Sequence, residues 1–116
     1  MKRQRAEQAG RDAENMAAAY LERSGWLVLA RRRRTPVGEI DLIVRRPGLI
    51  AFVEVKWRRS ARQLNDAIDE ARLARVAAAA GAIAHEYAQH GDDLTVDVLL
   101  LAPGAEPRHI TNAWQP

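Results

Sequence analysis

The chain has no cysteine, a single phenylalanine, and only two lysines among its 18 basic residues. It also has no long apolar run. Each shortage excludes something. Without thiols there are no disulfides and no thiolate metal sites. Without roughly 18 consecutive apolar residues no membrane-spanning helix is expected, and no membrane partner. The opening "MKRQRAEQAGRDAE" is basic, but the apolar core of a secretory signal does not follow it. The cytoplasm is therefore the default compartment. His85, His90 and His109 lack zinc-ligand spacing, since positions 85 and 90 would lie about 140° apart on a helix. They read as surface residues. There is no glycine-rich phosphate loop, and Ser24 and Ser60 lack the context of a nucleophile elbow.

What is present is a globular composition, 47% hydrophobic and 28% charged over 116 residues, which suits one domain spanning 1–116. The net charge of +3 hides an asymmetry. Residues 1–62 carry 15 Lys/Arg against 7 Asp/Glu (+8), and residues 63–116 carry 3 against 8 (−5). The basic half holds Arg31, Arg32, Arg33 and Arg34 in a row, then Arg58, Arg59 and Arg62. Arginine forks match phosphate oxygens, so a polyanion partner is one reading. An Arg-rich solvated surface, in a chain that uses arginine nearly everywhere, is the other.

Residues from about Glu7 to Arg23 read as an amphipathic helix, with Ala6, Ala9, Ala13, Met16, Ala17 and Tyr20 forming one stripe. Gly25 stands where a helix-terminating glycine belongs. Trp26–Ala30 predicts a first strand, and the four arginines a connection. Glu39 to about Arg45 predicts a second strand, with Glu39, Asp41 and Ile43 on one face and Ile40, Leu42 and Val44 on the other. "RPG" predicts a turn, and Leu49–Trp57 a third strand. An Ala-rich helix is expected from about Leu64 to Gln89, with Gly81 a weak point. Leu94–Leu101 predicts a fourth strand, and "RHITNAW" a short terminal one. The order is α-β-β-β-α-β-β, an α/β class with a mixed sheet.

Charges inside the second and third strands need an explanation, because a buried unpaired charge costs several kcal/mol. A turn centred on Pro47 and Gly48 pairs Arg46 with Leu49. Continued, that register puts Asp41 opposite Glu54 and Glu39 opposite Lys56. Two opposed carboxylates repel unless a cation lies between them, and hard cations such as Mg²⁺ take such ligands. Lys56 shares a face with Glu54 and could orient an attacking water or stabilise transition-state charge. Apart from Lys2 it is the only lysine, which suits a compact, tunable point charge. The competing reading is a set of cross-strand ion pairs on a wet face. Ile43 and Phe52 on the same face argue against full solvation. Asp97 reads as a structural hydrogen-bonding group. Trp26 and Trp114 read as packing residues, whereas Trp57, beside Arg58 and Arg59, is open as a DNA contact through stacking.

An acidic residue in one strand and Glu-x-Lys in the next resembles the signature of the PD-(D/E)xK nuclease superfamily. More narrowly, "GEIDLIV" with "FVEVKWR" is similar to the YraN-like family (UPF0102), small bacterial proteins that resemble Holliday-junction resolvases. The likeness extends to "GRDAENMAAAYLERSGWLVLARR", "AIDEARLARVAAAA", "VDVLLL" and "HITNAW", nearly the whole chain. It implies a restriction-endonuclease-like fold. It also implies Asp41 and Glu54 as ligands of Mg²⁺ or Mn²⁺, Lys56 as the catalytic lysine, and Glu14 as an additional acidic member. Glu39 belongs to the matching motif, either as an outer partner of the metal or as a salt-bridge partner of Lys56. The chain departs from the pattern at Arg32 (usually Asn), Arg72 (often Lys), Thr95 (Arg) and Ala13 (Gly). The function implied is a metal-dependent endonuclease on branched or otherwise structured DNA, with Arg31–Arg34 and Arg58–Arg62 gripping the backbone. Two cuts in a junction would suit a homodimer. Two alternatives remain: a nucleic-acid-binding protein with a nuclease-like fold and little turnover, and a structural protein without a nucleic-acid role.

Overall fold

The computed structural model of the chain describes residues 2–66 and 68–115. Helix α1 (Lys2–Arg23) leads into strands β1 (Leu27–Arg34), β2 (Glu39–Arg46) and β3 (Leu49–Trp57). A 3₁₀ turn (Ala61–Asp66), helix α2 (Glu70–Ile83) and a second 3₁₀ turn (Ala84–Glu86) precede β4 (Asp93–Leu101) and β5 (Arg108–Ile110). The strands form one sheet in the order β1-β2-β3-β4-β5, antiparallel except for β3 and β4. That one parallel pair requires a crossover, which α2 supplies. The α/β class and the order of elements are as expected, and a mixed sheet with two helices is consistent with a nuclease-like fold.

The sheet is buried on both faces. Ala13, Ala17, Ala18 and Leu21 of α1 pack on Leu42, Val44, Ala51, Val53 and Leu99. Leu73, Val76, Ala80 and Ile83 of α2 pack on Ile43, Phe52, Val96 and Leu100 from the other side. The α1 stripe is rotated from the one expected: Met16 is half exposed, Ala9 is exposed, and Ala18 and Leu21 are fully buried. The side chain of Ala6 lies outside the described residues. Helix α1 ends in a Schellman arrangement, with Trp26 N–H donating to Leu21 O (2.9 Å) and Gly25 N–H to Glu22 O (3.1 Å). Gly25 takes φ 94°, which a side chain would strain.

Two elements depart most from the sequence reading. The arginines at 31–34 are not a connection but the second half of β1, paired with β2 as far as Arg34–Glu39. The second helix does not run from Leu64 to Gln89. It starts at Glu70, because Asp69 caps it by accepting from Ala71 N–H (2.9 Å) and Arg72 N–H (3.3 Å), and it closes at Ile83. Ala67, inside the expected span, lies outside the described residues. Among the described residues, no helix is long and apolar enough to cross a membrane.

Phe52 is the largest fully buried side chain. Phe52→Ala should cost about 3–5 kcal/mol in chemical denaturation, the usual cost of emptying such a position. A loss below about 1 kcal/mol would contradict the packing described.

Candidate active site

The β2–β3 ladder follows the expected register from Arg46–Leu49 through Leu42–Val53, and there it stops. Continued, it would place Asp41 opposite Glu54. Instead the Asp41 carboxylate itself accepts from the Val55 N–H, Oδ2 to N at 2.8 Å. Strand alternation breaks at the same point: Ile40 joins Ile43 on the α2 side, while Leu42 joins Val44 on the α1 side. The expected single face of Glu39, Asp41 and Ile43 is therefore corrected. On the far edge the β1–β2 pairing passes from Arg31–Leu42 to Arg33–Ile40 and skips the Arg32–Asp41 pair between them. Arg32 has φ 49°, in the left-handed region. Arg32, Asp41 and Glu54 thus fall on one irregular row across three strands.

At this row an open cleft of about 500 Å³ lies between α1 and the ends of β2 and β3, bordered by Glu14, Asp41, Glu54, Lys56, Trp57 and Arg72. Its α1 wall is formed by the small residues Ala9, Gly10 and Ala13. Glu14 reaches it because positions 14, 18 and 21 share one helical face, and Ala18 and Leu21 are buried. One carboxylate oxygen from each of Glu14, Glu39 and Asp41 lies within 4.8 Å of the others. Glu54 is 2% exposed. Its Oε1 meets Arg72 Nε at 3.1 Å and Lys56 Nζ at 3.5 Å. Its Oε2 is buried with no hydrogen-bond partner among the described residues.

Three carboxylates, of Glu14, Asp41 and Glu54, therefore share one partly dry cleft, and that of Glu39 stands beside it. Burial, reinforced by the charge of Glu54, pushes the Asp41 carboxyl up to about 7, against the pull of the Val55 amide. Burial also raises Glu14, with Arg32 the strongest influence in the other direction. Arg32 Nε stands 3.3 Å from Glu14 Oε2 and 3.6 Å from Glu39 Oε1. Glu39 is paired with Arg32 and, at 3.8 Å, with Arg34, so the alternative of a Glu39–Lys56 bridge is corrected. The donor set is all carboxylate oxygen, three of them clustered and a fourth carrying an orphaned buried atom, which fits a hard divalent cation.

The other basic residues divide. Arg31 bonds Asn15 (3.1 Å), and Arg33 bonds Glu86 (2.8 Å) and lies over the Tyr87 ring. The four-arginine run is therefore largely engaged with its own chain, and Arg34 is its most exposed member, at 90% of its side chain. Arg59 and Arg62 are exposed, and Arg58 borders the cleft with its Nη1 on Trp57 O. Away from the cleft, Asp97 accepts from Asn112 N–H (2.9 Å) and pairs with His109 (2.7 Å). That agrees with a structural Asp97 and corrects the reading of His109 as a free surface residue. Trp26 is buried and Trp57 partly exposed at the cleft. Sequence reasoning missed Arg72 as the partner of Glu54. Its signal was available: the Asp69 cap fixes the helix start and so the face on which Arg72 lies.

A carboxyl raised in the folded state stabilises the fold while protonated. Its contribution is complete below about pH 4 and is lost as the pH rises through about 7. In chelator, Asp41→Asn should stabilise the chain by about 1–3 kcal/mol at pH 8 and by little at pH 4, since the amide oxygen can still accept from Val55. Thermal melts at the two pH values test this, and an equal effect at both would contradict it.

The profile described as "Uncharacterised protein family UPF0102" matches residues 13–101, which include every acidic residue of the cleft. A UPF0102 protein of Erythrobacter litoralis is 63% identical over the full length of both chains. One of Sphingopyxis alaskensis is 51% identical, again over both full lengths. A third, of Rhizorhabdus wittichii, is 46% identical over 97% of this chain and 96% of its own. On the profile match and these full-length identities, this chain belongs to the UPF0102 family.

Proposed function

We propose that the chain is a divalent-metal-dependent phosphodiesterase acting on DNA, and that its substrates are branched or otherwise structured. One observation carries the reading. Glu54 is buried, with one oxygen unpartnered among the described residues, in a cleft it shares with Asp41 and Glu14, and Glu39 stands beside them. Acids gathered in this way repel one another and cost stability, which makes the place a candidate for binding or chemistry.

Asp41 and Glu54 would hold Mg²⁺ or Mn²⁺, with Glu14 and Glu39 beside them. When bound, such an ion supplies Lewis-acid polarisation of a phosphate oxygen and a more acidic water. The Val55 amide fixes one Asp41 oxygen, which leaves the other directed by the backbone rather than by a rotating side chain. Lys56, 21% exposed and anchored on Glu54, has donors left to orient a water or meet phosphate charge. Arg58, Arg59, Arg62 and Arg34 supply the accessible positive charge for the backbone. Likeness to resolvases supports DNA as the polymer, and a homodimer would provide the second cut of a junction.

A second reading, binding to nucleic acid without turnover, is favoured by one feature: Arg32, Arg72 and Lys56 already pair with the acids. Cleavage assays on single-stranded, duplex, flap and four-way-junction DNA separate the two. Mg²⁺- or Mn²⁺-dependent cleavage should disappear with chelator and fall at least about 100-fold in Asp41→Asn, Glu54→Gln and Lys56→Ala. Cleavage that persists in Asp41→Asn and Glu54→Gln would refute the site. Salt-sensitive binding with no cleavage under any metal would favour the second reading.

A further inference from the structure

Arg32 pays for its position with an unfavourable backbone. At φ 49° it lies where side chains other than glycine, asparagine and aspartate are rarely found. The strand on either side of it keeps regular partners, Arg31 with Leu42 and Arg33 with Ile40. The departure is thus confined to one residue, and its result is specific. It carries a guanidinium out of the strand's alternation and onto the carboxylates of Glu14 and Glu39, at 3.3 and 3.6 Å. Those two carboxylates, with Asp41, are the trio whose oxygens lie within 4.8 Å of one another. Arg34 touches only Glu39, from a side chain that is nearly all in solvent. Arg32 is therefore the one described cation that bridges two members of the trio.

A guanidinium and a divalent ion, both cations, compete for the negative charge of the same two carboxylates. We propose that Arg32 is an exchangeable counter-ion of this site: a divalent cation held by Asp41 and Glu54 takes over the neighbouring carboxylates of Glu14 and Glu39 by displacing the Arg32 side chain. The inference rests on the metal-dependent reading above and adds how the site is held closed before the ion arrives. It also gives the left-handed backbone at Arg32 a purpose. The side chain is 42% exposed, so it can leave toward solvent without unpacking the core. Once released, its planar fork suits phosphate oxygens, the groups a nucleic acid would bring to the cleft.

The test uses Mn²⁺ alone, titrated calorimetrically into the nucleic-acid-free chain. Arg32→Gly suits the positive φ, removes the cation and adds no ligand atom. It should bind Mn²⁺ at least about threefold tighter than wild type, the scale of a partly exposed ion pair. Arg32→Lys, which keeps the charge, should stay within about twofold of wild type. A measurement that needs no variant accompanies it. In the wild-type chain, Mg²⁺ should speed solvent exchange of the Arg32 Nε–H, followed by side-chain NMR. Equal Mn²⁺ affinity in wild type and Arg32→Gly, or an unchanged Arg32 Nε–H while Mg²⁺ binds, would overturn the exchange alone. Failure of both chains to bind Mn²⁺ would overturn it together with the metal-dependent reading.

Discussion

The hydrogen bond from the Val55 amide to the Asp41 carboxylate is the constraint on which the rest of the site depends. In an unbroken hairpin that amide would be satisfied by backbone, and the acids would oppose each other as side chains on one face. Here a side chain replaces the ladder, so the strands part without leaving a buried amide unpaired. The opening has three consequences. Asp41 leaves the alternation of β2, Glu54 is buried at the end of the closed ladder, and space appears between them that Glu14 can enter from α1. A hydrophobic sandwich on both sheet faces is what allows one row to be sacrificed.

The electrostatics follow from that opening. Carboxylates placed together in a partly dry cleft repel one another, and the response is visible in Asp41, pushed up to about 7. The chain answers with cations from three different elements: Arg32 of β1, Lys56 of β3 and Arg72 of α2. None neutralises the site completely, because Glu54 Oε2 has no partner among the described residues. Such a balance is unfavourable for stability alone, which is the usual signature of a place kept for binding or chemistry.

Much of the fold was legible in the sequence because its signals were local. The Pro47-Gly48 turn set the hairpin register, Gly25 ended α1, and the apolar run of β3 gave that strand its limits. What escaped was decided by tertiary context. Four arginines look like a loop, yet their backbones complete β1 while their side chains turn to Asn15, Glu86 and the acids. The turn register predicted Asp41 opposite Glu54, and no pattern of types reveals that a carboxylate would take the place of a backbone acceptor. The α1 stripe was misjudged because alanine is so frequent that several stripes fit. Choosing the one through Ala18 and Leu21 would have put Glu14 on the inner face at once. The missed start of α2 had a clear signal in Asp69 followed by Glu70, overridden by the length of the Ala-rich pattern.

The most direct test of the metal-binding claim is a crystal structure of the chain grown with Mn²⁺, with the ion located by its anomalous scattering. The account predicts a single strong peak in the cleft, with oxygens of Asp41 and Glu54 about 2.0–2.4 Å away. No peak in the cleft at saturating Mn²⁺, or a peak that neither carboxylate touches, would contradict it.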